Sequence, residues 1–198
     1  MKLTIISASQ RAQSKSLLAS QYKACKAKKS GFSEVEVLDL HELQLPLWNE
    51  GVWQGAEEWS HWSEIAEKLK ASDAFVLVTP EWHGMATPAL KNFLLLTTDN
   101  EMAHKPALLS STSAGNNGVY PISELRMTGS KNNHVNYIPD QLIFRHIDSL
   151  LTSDLKCGDQ EFDARVDYTM QLLFAYATAL APVHRDMLEV GKPFKWGM

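Results

Sequence analysis

The sequence is poor in cysteine, in long apolar runs and in positive charge, and its first loop has no glycine at all. Two cysteines in 198 residues, Cys25 and Cys157, stand far apart and in no metal-binding or redox spacing. That usage argues against a disulfide-stapled secreted domain and makes a reducing compartment, the cytoplasm, the expectation. No run of 18 apolar residues occurs, so no membrane span is expected. Met1-Lys2 leads into the short apolar run Leu3–Ile6, too short for the core of a signal peptide. A net charge of −4 and a pI near 6.0 supply no basic face for nucleic acid. Residues 7–16, "SASQRAQSKS", contain neither the Gly-rich dinucleotide fingerprint nor the GxxxxGK[ST] phosphate loop. His41-Glu42-Leu43 has no second histidine four residues on, and His61, His104, His134 and His146 show no ligand spacing, so no metal site is assigned. Asp73 precedes its strand, the wrong end for a phosphorylated receiver.

What is present reads as an ordinary folded chain, 44% hydrophobic and 21% charged. One domain over residues 1–198 is expected, burying about 70% of the surface of the unfolded chain. Apolar strands alternate with helical patterns. Leu3–Ile6 is followed by a helix with Leu17, Leu18, Tyr22 and Cys25 on one face, and Lys26, Lys28 and Lys29 crowd its last turn. "EVEVLDL" (34–40) alternates as an edge strand should. Residues 41–54 form a Trp-rich loop and Glu57–Ala71 a second helix. "AFVLV" (74–78) is apolar throughout, as a central parallel strand must be. A helix at Pro88–Thr97, a strand at 106–111, a helix at 119–129, a weakly marked fifth strand from Val135–Asn136 with 141–144, and a helix at Asp159–Leu180 complete the pattern. An irregular tail is expected from about Pro182. The fold class is therefore α/β, a doubly wound five-stranded parallel sheet. The order 2-1-3-4-5 places the topological switch between strands one and three, where ligands settle beyond the carboxyl ends of strands.

The loops leaving those two strands are the chemically unusual ones. The first holds Ser9, Arg11, Ser14 and Ser16 ahead of a helix. A helix N-terminus with hydroxyls and a guanidinium suits one terminal phosphate monoester. The plainer alternative makes Ser14 an N-cap and the other serines loop filler. The second, "TPEWHGMATP" (79–88), presents a flat face from Trp82, donors from His83 and Gly84, and rigidity from Pro80 and Pro88. Plainer alternatives exist here too: an interface aromatic for Trp82, a solvated His83, and a structural carboxylate for Glu81.

Together these loops resemble the NAD(P)H-dependent FMN reductase family of the flavodoxin-like fold. Its Gly-Ser-x-Arg-x-x-Ser motif is matched by Ala8-Ser9-Gln10-Arg11-Ala12-Gln13-Ser14. Its Thr-Pro-Glu-Tyr-Asn motif, followed by Leu-Lys-Asn, is matched by "TPEWHG" and by Leu90-Lys91-Asn92. A third loop and a Leu-Arg pair are matched by "STSAGNNG" (111–118) and Leu125-Arg126. The resemblance spans residues 2–150. It implies that Ser9, Arg11, Ser14 and Ser16 hold the FMN phosphate. It implies also that Pro80, Glu81, Trp82, His83 and Gly84, with Ser113, Ala114 and Gly115, border the ribityl chain and the ring. Hydride would come from NADPH or NADH and leave to a small acceptor: a flavin, quinone, azo compound or metal ion. The flavin carries that chemistry, so no catalytic side chain is assigned. A homodimer or homotetramer is implied, with Trp48, Trp53, Trp59 and Trp62 as contact or core residues. An electron carrier serving a protein partner and a flavin-free binding relative are the alternatives. Three departures stand out: Ala8 for glycine, Trp82 for tyrosine and His83 for asparagine, the last adding a group that ordinarily titrates near neutrality.

Overall fold

The computed structural model describes residues 1–194. Five parallel strands form one sheet: β1 (Lys2–Ser7), β2 (Glu34–Asp39), β3 (Ala74–Pro80), β4 (Pro106–Thr112) and β5 (Asn136–Phe144), in the order β2-β1-β3-β4-β5. This is the flavodoxin-like order expected above. β3 and β4 are buried along almost their whole length, which is why their sequences do not alternate. β2 is one edge, and Glu36 faces Lys68 at 3.1 Å.

Two apolar layers sandwich the sheet. Leu3, Ile5, Val76, Val78 and Leu108 pack against α1 (Lys15–Lys29) and the long last helix, Gln160–Val190. Ile6, Phe75, Leu77 and Leu109 pack on the other face against three helices: α2 (Trp62–Lys70), α3 (Pro88–Leu96) and α4 (Val119–Met127). The last helix is α5. Each fully buried Leu or Phe in these layers contributes about 1.5–3 kcal/mol. The caps follow the sequence. Ser14 accepts from the Leu17 amide to start α1, and Thr87, followed by Pro88, accepts from the Leu90 amide to start α3.

Four expectations need correction. The segment 57–71 is a single 3-10 turn, Glu57–Trp59, and then α2, because the buried positions Trp59, Trp62, Ile65 and Leu69 are satisfied across that break. The tail is not irregular from Pro182. α5 continues to Val190, with His184 Nδ1 2.8 Å from Ala103 O as an anchor two residues beyond the proline. Residues 195–198 of that expectation lie outside the described residues. The fifth strand is continuous over Asn136–Phe144, with a register shift opposite Ala107–Leu109 that accommodates Pro139 at the sheet edge. Arg126 donates to Ile138 O and Asp140 O within that irregularity, each at 3.0 Å, which accounts for the Leu-Arg pair structurally. Finally, Cys25, placed by its spacing on one apolar face with Leu17, Leu18 and Tyr22, is exposed, and both cysteines are free.

Candidate active site

The loop between β1 and α1 crosses the top of the sheet. Ala8 is fully buried there; its amide donates to Val78 O at 2.8 Å and its carbonyl accepts from Thr87 Oγ1 at 2.6 Å. Ala8 is not among the residues with positive φ, so its methyl packs into the core without strain. Beyond it, the Arg11 amide donates to Ser9 Oγ at 3.2 Å, and Gln13 turns the chain with φ 49°. Ser14 Oγ is spent as acceptor on the Leu17 amide at 3.0 Å but keeps its own O–H to donate. The first-turn amides of Lys15 and Ser16 have no intrahelical acceptor and point outward at the positive end of the helix. Ser16 Oγ is buried against Thr112 Oγ1 at 3.0 Å, so Ser16 ties α1 to β4 and presents its amide.

The second loop is a tight hairpin. Trp82 and Met85 exchange two backbone hydrogen bonds, of 3.2 and 3.0 Å, around His83 (φ 51°) and Gly84 (φ 70°). Positive φ at both central positions makes this a type I′ turn. Glycine adopts it freely, and histidine and asparagine are among the few side chains that tolerate it. His83 in place of asparagine therefore answers first to backbone geometry. The turn is braced from two sides. Glu81 accepts from the Gly118 amide at 2.6 Å, and Glu124 on α4 accepts from the Ala86 amide at 2.8 Å while facing Lys91 at 3.0 Å. Burial raises the Glu124 carboxyl, but the Ala86 amide and Lys91 outweigh it, and the net shift is downward. Gly118 has φ 111°, and a Cβ there would lie 2.4 Å from Ile143 Cγ2, so this donor position admits only glycine.

The third loop leaves β4 and is stitched to the exit of β5. Ser113 donates its amide to Phe144 O at 2.9 Å, and Ile147 donates to Ser113 O at 3.1 Å. One cavity of about 450 Å³ opens where the three loops meet. Ser9, Arg11, Ser14 and Ser16 line it from the first loop; Pro80, Glu81 and Trp82 from the second; Ser113 and Ala114 from the third. Three of the residues proposed from the sequence do not form its wall. His83 is exposed because the turn points it to solvent, Gly84 sits behind it against Tyr120, and Gly115 lies at the loop tip with its carbonyl accepting from the His146 amide. Thr112, Ile147 and Asp148 also line the cavity and were not read from the sequence. Thr79, Thr87 and Glu124 hold the second loop without facing the cavity. The Thr87-Pro88 cap was legible as a helix start, but its partner Ala8 was not.

The electrostatics favour an anion. Arg11 is exposed and its guanidinium has no ion-pair partner among the described residues. Both carboxylates on the cavity wall are already engaged: Glu81 by the Gly118 amide, and Asp148 by Lys15 at 3.1 Å. Lys15 offsets the charge of Asp148, while the Gly118 amide holds the Glu81 carboxylate in place without neutralising it. Other clefts, of about 460 Å³ beside Trp53 and about 300 Å³ beside His41, lack this pairing of a helix N-terminus with an unpaired guanidinium.

Residues 1–148 match the NADPH-dependent FMN reductase family. The chain belongs to that family. It is 31% identical over 164 residues to an NADPH azoreductase from Bacillus sp. (strain OY1-2), covering 80% of this chain and 83% of that protein. The fold is shared with a flavoenzyme NAD(P)H:(acceptor) oxidoreductase from Paracoccus denitrificans at TM-score 0.68, 22% identity, and 90% and 98% of the two chains. It is shared too with an FMN-dependent NADH-azoreductase from Bacillus anthracis in complex with FMN, at TM-score 0.59, 18% identity, and 87% and 98% coverage. The protein is thus an FMN-dependent NAD(P)H oxidoreductase, and FMN is its cofactor. The donor set of the cavity fits that group, with hydroxyls, free first-turn amides and a guanidinium from the first loop and an indole from the second. No helix among the described residues is long and apolar enough to cross a membrane.

Proposed function

We propose that the three-loop cavity is the FMN site and that this reductase uses it to pass hydride from NADPH to a small planar acceptor, an azo compound or a quinone. The observation that carries this reading is convergence: segments near residues 9–16, 80–82 and 113–114 line one cavity at the switch between β1 and β3. Ser9, Arg11, Ser14 and the free amides of Lys15 and Ser16 hold the phosphate. Trp82 lies along the ring, and the hairpin around Gly84 fixes its orientation. His83, Gly84 and Gly115 act from outside the wall by setting backbone shape. Bound FMN supplies the hydride-accepting ring, while the chain binds, orients and screens it. The cytoplasm is the proposed location.

The same reading includes a homodimer. Met85, Val119 and Tyr120 are exposed beside the hairpin, and Leu95 and Met127 are exposed on α3 and α4. Trp48 and Trp53 form an edge-on pair at 5.3 Å on the surface, while Trp59 and Trp62 are core. An apolar rim around a cofactor site suits a second copy that shields the ring. The test is a spectrum of the purified protein with added FMN, followed by anaerobic NADPH. Saturable binding and bleaching within seconds are expected. Binding without any reaction with nicotinamide would point to an electron carrier instead.

A further inference from the structure

Two turns below the phosphate-facing end of α1, the helix buries a lysine. Lys23 has no exposed surface, its Nζ donates to Ala19 O at 3.2 Å, and Nζ lies 3.9 Å from the centroid of the Phe144 ring. Among the described residues no carboxylate pairs with it. Lys105 shows what a buried ammonium gathers here: three carbonyls, Leu69 O, Lys70 O and Glu101 O, at 3.1, 2.8 and 3.0 Å. An ammonium has three donors, and Lys23 satisfies one. Burial also holds its pKa well below the ordinary lysine value.

The surroundings are polar on the side toward the cavity. Lys23 lies on the face of α1 that carries Ser16 and Ser20, and helical side chains lean toward the N-terminus. Ala19 lies about 7 Å along the axis from the Ser14 cap. Ser20 Oγ donates to Ser16 O at 2.8 Å, and Ser16 Oγ meets Thr112 Oγ1. Ser110, two residues before Thr112 on the same face of β4, has a buried hydroxyl with no partner. The other charged groups on the packed elements are committed elsewhere. Tyr22 and Lys26 bind Asp163, Lys26 also binds Asp167, and Arg165 on α5 holds Asp140 on β5. β3 presents apolar residues to this face, and β1 adds Leu3, Ile5 and Ser7, whose hydroxyl donates to the Asp39 carboxylate on β2 at 3.2 Å.

We propose that Lys23 is the proton-carried counter-charge of the phosphate site: an uncharged amine in the ligand-free protein that takes one proton from solvent when a phosphate dianion seats at the N-terminus of α1. The ammonium so formed keeps Ala19 O and the Phe144 ring face, and Ser110 supplies a hydroxyl oxygen on the same face. The inference rests on reading the cavity as the FMN site. Binding would then be tighter at lower pH above the second phosphate ionisation, which lies near pH 6 in the free ester.

Calorimetry of FMN binding at pH 8, in two buffers of different ionisation enthalpy, reads the proton count. Uptake of about one proton per FMN is expected for the wild type, with affinity falling about tenfold from pH 8 to pH 9. K23M and K23Q should bind FMN with no uptake and a flat profile. Should neither variant fold, the Nζ resonance of the buried lysine in the wild type reads the same proton on FMN addition. Zero uptake by the wild type, uptake that persists in the variants, or an unmoved resonance would overturn the role of Lys23. Absence of any FMN binding would overturn the site reading as well.

Discussion

The two ends of the sheet handle their polar groups in opposite ways. At the amino end most are consumed internally, Asp99 Oδ1 being a buried exception. Lys105 donates to three carbonyls, Thr4 and Ser72 share a 2.6 Å contact, and Asp73 accepts from the Lys2 amide at 2.7 Å. At the carboxyl end the first-turn amides of α1 and the Arg11 guanidinium are left for something outside the chain. A closed set of donors and acceptors stabilises the fold, whereas an open set binds a ligand. The same residue type marks the contrast, since Lys105 belongs to the closed end and Lys23 lies beneath the open one.

The largest effect should come from breaking the closed end. K105M leaves three buried carbonyls without their donor and is expected to lower stability by about 3 kcal/mol in denaturant unfolding, because each buried acceptor left unmade costs ~1 kcal/mol or more. FMN affinity of the folded fraction should not change. K23M, the same replacement under the open end, should be neutral or stabilising by about 1 kcal/mol, since Lys23 gives up one hydrogen bond where Lys105 gives up three and a buried amine is replaced by an apolar chain. Equal losses from the two variants would erase the distinction. Next comes R11A, which removes a charge-assisted donor worth about 2 kcal/mol and should weaken FMN ~30-fold by fluorescence titration, with the melting temperature of the unliganded protein unmoved. A shifted melting point with unchanged affinity would place Arg11 in the fold rather than the site. G84A forces alanine to φ 70° and should cost about 1 kcal/mol of stability, while H83N should be tolerated.

The buried titratable groups also make stability depend on pH. Burial lowers Lys105 to about 8, and Lys23 is lowered too, so the unfolded chain holds more protons than the folded one above that pH. Stability from these groups should rise between about pH 8 and 10 and reach its full value above the unfolded lysine pKa near 10.4. Tyr22 and Tyr137 are raised, chiefly by burial, so their contribution is present below the ordinary tyrosine value and lost as pH climbs above it. A maximum near pH 10 in chemical denaturation follows, and a monotonic fall from pH 8 would contradict it.

Much of the fold was legible because burial writes itself into sequence. "AFVLV" is uniformly apolar since both faces of β3 are covered, and Glu34 and Glu36 mark the edge strand. β5 was harder, because Pro139 and the register shift break its alternation and Arg126 satisfies it from a distant helix. The helical tail beyond Pro182 was hidden by a residue whose local preference is to end helices. Of the residues lining the cavity, the serines, Arg11 and Trp82 were legible from the composition of their loops. Asp148 and Ile147 were not, because they reach the cavity only through the turn after β5. Glu81 carried two readings from sequence alone, and its 2.6 Å bond to the Gly118 amide gives it a bracing part whatever it borders.

The most direct test of the open end compares FMN with riboflavin, which has the same ring and no phosphate, in fluorescence-quenching titrations of the apoprotein. FMN should bind at micromolar concentration or tighter, and riboflavin at least ~100-fold more weakly, as the loss of several charge-assisted bonds requires. Equal affinities would mean that the α1 N-terminus and Arg11 grip nothing.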